Sequence, residues 1–307
     1  MNAGAMSEKL VIIDFDNTMG VPGKDTDDGL ALLYLLGCPD ARIIGACTTF
    51  GNSTIDVVHD NTVKMFSEMG LDVPLYKGAA SPEDPQSDAS RFLARTAADH
   101  PGKVNLIAIG SLTNLRGACE LDSSFYDNLA SVTIMGGYTQ SLPFNGFFID
   151  ELNTSCDPDA TYGLIAASNV GRPDESGCPV SAATAQICMP AAFSRASFDD
   201  AFGTGSWVVR TCSSWFRNME EHFNWPHAVC WDVVATAMLM QPELFVPATL
   251  DVTLYRRYFS VGYFEKAPVG APSRTINVPE IADTQAFIAS VFEKWHAGLV
   301  RLGLEGR

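Results

Sequence analysis

Five carboxylates fall within fifteen residues near the start of the chain: Asp14 and Asp16 on either side of Phe15, then Asp25, Asp27 and Asp28. Like charges this close repel strongly unless a cation or a tight network of donors neutralises them. Two readings are open. Oxygen donors with no clustered thiols or imidazoles suit Ca²⁺ or Mg²⁺ better than zinc. Alternatively, Asp27 and Asp28 cap a helix, where free N–H groups and the macrodipole favour acids, and the others lie in a solvated loop. Capping accounts for one or two of the five, and the remainder favour a bound cation.

The elements that would present these residues follow from hydrophobic pattern. Residues 10–15 form a short, β-branched, nearly unbroken apolar run, which predicts a parallel strand buried on both faces. A helix is expected over 27–36, a strand over 41–49, and a helix over 55–69 closed by Gly70. Residues 104–109 and 129–135 read as further buried strands, with a helix over 112–120 between them. Strands alternating with helices imply right-handed crossovers and an α/β fold: an open, mainly parallel sheet flanked by helices, in one domain over residues 10–307. In such sheets ligands bind beyond the carboxyl ends of the strands. Asp14 and Asp16, Gly51-Asn52, residues 110–114 and Gly136-Gly137 all fall there. Further on, 143–149 reads as an aromatic, glycine-containing loop and 171–179 as a Pro/Gly/acid-rich excursion. Helices are expected over 206–223, 229–240 and 283–302, and an antiparallel hairpin or edge strand over 255–264.

With 20 Lys+Arg against 36 Asp+Glu, the net charge of −16 disfavours nucleic-acid polymers and anionic membrane surfaces as partners. A small ligand held through a cation is compatible with it. The longest apolar run, 29–38, is about half of a membrane span. Residues 1–9 read as a disordered or added lead-in rather than a signal peptide. Eight cysteines occur singly, with no metal-site spacing, and read as reduced cytoplasmic thiols that fill the core.

Residues 11–18, VIIDFDNT, fit the strand end of haloacid-dehalogenase-type phosphatases, in which Asp14 would be the nucleophile with Mg²⁺. They also resemble the opening of the calcium-dependent nucleoside hydrolases. The phosphatase reading requires a later acidic pair after a buried strand, and Asp199-Asp200 follows none. Similarity to the nucleoside hydrolases continues in order: Gly51-Asn52, residues 72–78, Ile109-Gly110-Ser111-Leu112-Thr113-Asn114, Met135-Gly136-Gly137, residues 151–158 and Trp231-Asp232. It covers roughly 10–300.

That resemblance implies hydrolysis of ribonucleosides to ribose and free base. Asp16 would be both a Ca²⁺ ligand and the base for an attacking water. Asp28, Asp232 and the Ile109 carbonyl would be the other ligands. Asp27, Asn52, Asn145, Glu151 and Asn153 would bind the ribose, with Asp14 supporting from behind. A homodimer or homotetramer is expected on the same ground. A catalytically silent nucleoside- or ribose-binding protein would keep the same carboxylates.

Two departures stand out. Ten residues, 17–26, separate Asp16 from Asp27, where the family usually has three. Pro22-Gly23 suggests a turn that bulges outward and returns Asp27 to the site, and Asp25 competes for one role. Trp231 stands where many members carry a histidine; an aromatic residue there would stack on a purine or simply pack in the core. His222 and His227, expected in the loop before Trp231, are either general acids for the leaving base or ordinary surface residues.

Overall fold

In the computed structural model, which describes residues 8–144, 147–148 and 151–306, the first strand, Lys9–Phe15 (β1), lies between two apolar layers. Val11, Ile13 and Phe15 enter one hydrophobic cluster and Ile12 enters the other. This is the period-two alternation of a strand covered on both faces. Seven further strands complete its sheet: Ala41–Thr48 (β2), Leu75–Tyr76 (β3), Val104–Ala108 (β4), Leu129–Met135 (β5), Val180–Ala183 (β6), Thr249–Thr253 (β7) and Ser273–Asn277 (β8). Their order is β7-β8-β6-β5-β4-β1-β2-β3. Every neighbouring pair is parallel except β7 with β8. The chain leaves β1 toward β2 on one side and reaches β4 on the other. Strand order therefore reverses at β1/β4, and a crevice opens at the carboxyl ends there.

Helices Asp27–Gly37 (α1), Ile55–Met69 (α2), Asp88–Asp99 (α3), Thr113–Leu121 (α4), Pro158–Ala166 (α5), Trp207–Phe223 (α6), Trp231–Met240 (α7) and Thr284–Arg301 (α8) cover the sheet. Apolar residues of α1, α2, α6, α7 and α8 share the cluster of Val11, and those of α3, α4 and α5 share the cluster of Ile12. Helix α8 crosses α1 at very short range. A Cβ on Gly37 would lie 1.9 Å from the Lys294 carbonyl oxygen, one on Gly298 would lie 2.5 Å from that of Leu33, and the Trp295 indole donates to the Leu30 carbonyl at 2.8 Å.

The first strands and helices stand where hydrophobic pattern puts them, and Gly70 closes α2 in the left-handed region at φ 64°. Residues 255–264 are a correction. They form a helical turn at Arg256–Phe259 and a single bridge from Tyr263 to Tyr138, not a hairpin. The aromatics at 255, 258 and 259 recur at helical rather than alternating spacing, and the antiparallel edge is β7 with β8. Helix α7 begins at Trp231 because His227–Val229 pairs with Ala192–Ser194. All eight cysteines are free and six are buried. Among the described residues, no helix is long and apolar enough to cross a membrane.

Candidate active site

The loops after β1, β2, β4, β5 and β6, with the first turns of α1 and α7, enclose one cleft. Asp25, Asp27, Asn52, Ile109, Met135, Glu151, Leu152, Asn153, Ala185, Trp231 and Asp232 line it. Asp27, Asp28 and Asp232 each bring a carboxylate oxygen within 4.8 Å of the others, and all three are buried. They open α1 and α7, where unpaired N–H groups favour anions, and the Asp232 N–H donates to Asp27 Oδ2 at 3.1 Å. Asp27, expected on the sugar, thus stands with the acids expected to hold the cation.

Asp16 adjoins this trio. Its own N–H donates to Asp28 Oδ1 at 3.1 Å. The Asn52 N–H donates to Asp16 Oδ2, and Asn52 Nδ2 reaches Asp16 Oδ1 at 3.4 Å and Asp28 Oδ2 at 3.2 Å. The preceding residue must be glycine: Gly51 has φ 154°, and a Cβ there would lie 2.1 Å from Asp16 Oδ2.

Asn153 Nδ2 donates to the Ile109 carbonyl at 3.0 Å and to the Met135 carbonyl at 3.1 Å, tying the β4 and β5 loops together. Glu151 fixes Asn153: its Oε1 accepts the Asn153 N–H at 2.9 Å, and its Oε2 accepts the N–H and hydroxyl of Thr154. Asp14 is fully buried and does not line the cleft. Asn114 Nδ2 donates to its Oδ2 at 2.8 Å. The acidic pair that a phosphatase would need, Asp199-Asp200, lies within the helix Arg195–Phe202 rather than at the end of a strand of the central sheet, which removes the basis of the phosphatase reading.

Burial raises the carboxyl pKa of Asp16, Asp27, Asp28 and Asp232, and the charges of neighbouring acids raise all four further. Burial likewise lifts Asp14 to about 8 and Glu151 to about 7. Among the described residues, no lysine, arginine or histidine lines the cleft to offset these charges. Asp14 Oδ1 is buried with no hydrogen-bond partner among them. An all-oxygen set short of positive charge fits a hard divalent cation.

Trp231 is half-buried and lines the cleft rather than vanishing into the core. The two histidines are placed elsewhere than expected. His222 is exposed in the last turn of α6, close to the Asn218 carbonyl. His227 sits in a strand, its ring 5.4 Å from Trp225, and neither lines the cleft. Asn145 lies outside the described residues. Sequence reasoning missed Ala185 and Met135 as lining residues, because neither carries a chemical signal.

The segment between Asp16 and Asp27 is tightly bound. The Thr18 hydroxyl donates to the Asp25 carbonyl at 2.9 Å, and Asn61 of α2 donates to the Asn17 and Met19 carbonyls. Gly20, Pro22 and Gly23 are exposed at its tip. The extra length bulges outward there and returns Asp27 to the cleft, as Pro22-Gly23 suggested.

A family model described as inosine-uridine preferring nucleoside hydrolase matches residues 11–289. Uridine nucleosidase 1 of Arabidopsis thaliana is 29% identical over 182 residues, 50% of this chain and 52% of that protein. The chain spans about half the length of the curated relatives it matches. The solved plant nucleoside hydrolase PpNRh1 has a TM-score of 0.78 at 18% identity, covering 94% of this chain and 98% of that one. A purine-preferring ribonucleoside hydrolase from Gardnerella vaginalis gives 0.77 at 19% identity, over 95% and 99%. At these identities the likeness of the two structures is one of fold.

Proposed function

Since the chain belongs to the inosine-uridine preferring nucleoside hydrolase family, we propose that it hydrolyses the N-glycosidic bond of ribonucleosides, giving ribose and free base, with Ca²⁺ bound. The observation that carries this reading is the buried trio of Asp27, Asp28 and Asp232, of which Asp27 and Asp232 line a cleft with Asn52, Glu151, Asn153 and Trp231, while Asp28 and the adjoining Asp16 are fully buried.

Asp16, Asp28, Asp232 and the Ile109 carbonyl would hold the cation, with Asp27 turned to the sugar hydroxyls. When bound, Ca²⁺ orients vicinal hydroxyls and acidifies nearby water. Asp16 takes the proton of the attacking water as general base. Asp27, Asn52, Glu151 and Asn153 hold the ribose, and Asn145 joins them on sequence resemblance. Asp14 supports the turn at Ile109 from behind. Breaking the bond develops positive charge on the sugar, which the surrounding carboxylates stabilise. Trp231 stacks on the leaving base and gives a preference for purines. A 2′-deoxy substrate leaves buried polar groups unpaired and is strongly rejected. Assembly as a homodimer or homotetramer and a cytoplasmic location belong to the same reading.

Free-base release from inosine, adenosine, guanosine, uridine and cytidine, with calcium and after chelation, tests it. Chelator-sensitive release, faster for the purines, is expected. No release from any of the five would overturn the hydrolase reading in favour of a silent binding protein, and equal or faster release from the pyrimidines would overturn the role of Trp231.

A further inference from the structure

We propose that residues 17–26 are a positioning strap whose working contact is Lys24 on Asn52, so that this lysine sets two of the carboxylates expected to hold the cation; that Asp16 and Asp28 hold a cation, and that it is Ca²⁺, rests on the reading above. Asn52 is gripped from both sides of its backbone. Its N–H donates to Asp16, and its carbonyl accepts from Lys24 Nζ at 2.8 Å. Its side chain then reaches both Asp16 and Asp28. Moving the 51–52 turn therefore moves the donors that orient these two acids together. Gly51 leaves the turn no slack, because it approaches Asp16 too closely to carry a side chain.

Lys24 can act as a fixed point because its own segment is fixed. The Val21 N–H donates to the Thr18 carbonyl and the Lys24 N–H to the Val21 carbonyl. Asp25 Oδ1 accepts the Thr26 N–H at 2.9 Å, and Gly20 lies against Thr211 of α6, whose Cγ2 would be 3.2 Å from a Cβ there. Met19 is buried against Gly29 of α1, where a Cβ would lie 2.3 Å from its sulfur. The strap is thus tied to α1, α2 and α6, and Lys24 extends from it to Asn52, which bridges Asp16 and Asp28. A group that orients metal ligands without touching the metal typically changes metal affinity or activity by about 10–100-fold when removed.

The test is calcium titration of the whole protein, first stripped with chelator, by calorimetry and by the calcium-dependent rise in melting temperature. Lys24→Met should weaken calcium binding by about tenfold or more, while its calcium-free melting temperature stays close to wild type. Lys24→Arg, which keeps a donor, should restore most of the affinity. Calcium affinity in Lys24→Met equal to wild type would overturn the proposal. So would a lower calcium-free melting temperature with unchanged calcium affinity, since that is what a merely structural lysine would do. A wild type that shows no calcium-dependent shift would overturn it as well, whether or not base is released. A wild type that binds calcium yet releases no base would refute the hydrolase reading alone, because calcium binding is read directly.

Discussion

Replacing Glu151 by glutamine should change the pH dependence of stability, with a sign that the structure determines. Glu151 is buried, and burial lifts its carboxyl from the ordinary 4.5 to about 7. Below pH 4.5 it is protonated in folded and unfolded protein alike, so no difference arises. Between 4.5 and 7 the unfolded chain has released the proton and the folded one retains it, and stability falls as pH rises. Above 7 the full penalty is present; the interval from 4.5 to about 7 corresponds to about 3 kcal/mol. Glutamine does not titrate. It also turns an N–H₂ toward either the Asn153 or the Thr154 amide, which costs about 1–3 kcal/mol. The variant is therefore less stable than wild type at pH 4.5 and close to it, or more stable, at pH 8. Urea unfolding of both proteins across this range, in chelator, measures the difference, and the aspartate cluster cancels because both proteins carry it. A wild-type-minus-variant difference that stays flat with pH, or rises, would refute the assignment.

Three further outcomes are expected. Asp232→Asn should abolish the calcium-induced rise in melting temperature and lower base release at least about 100-fold, read by scanning fluorimetry and by chromatography of released base. Gly51→Ala must move a Cβ 2.1 Å from Asp16 Oδ2, at a cost of about 1–3 kcal/mol in stability and with a larger loss of calcium affinity, which denaturation and calorimetry separate. Trp231→Ala should raise KM for inosine and guanosine about tenfold, since stacking of a base on an aromatic contributes about 1–3 kcal/mol, with a smaller effect for uridine; steady-state kinetics on the panel checks it.

Much of the sheet and one side of the cleft could be read from residue types. β1 and α1 are apolar almost throughout, a pattern that only a doubly covered strand and a buried helix satisfy. β6, with the sequence Val-Ser-Ala-Ala, is too short and too small-chained to signal a strand, though its end places Ala185 in the cleft. α3 opens on a capping box of Ser87 and Ser90 in place of the more recognisable Ser-to-Glu pair, and its buried face is mostly alanine. The tyrosines and phenylalanines of 255–264 drew a strand assignment because β propensity outweighed their spacing. The acids of the site were legible because charge repulsion makes them conspicuous. The grip of Lys24 on a backbone carbonyl was not, since a carbonyl carries no mark in the sequence.

The close crossing of α8 on α1 also bears on the order in which the molecule folds. Helix α1 presents Asp27 and Asp28 at its first turn, and its body is braced at Leu30 by Trp295 and at Leu33 by Gly298, more than 250 residues later in the chain. Asp232 is likewise 205 residues from Asp27, to which it is bonded. Contacts of such long sequence separation form late, after loop closure has been achieved elsewhere. The carboxylates therefore converge near the end of folding, when most of the barrier has been crossed. A cation that binds only the converged acids should leave the refolding rate almost unchanged and slow unfolding, acting as a latch on the finished chain rather than a nucleus for it.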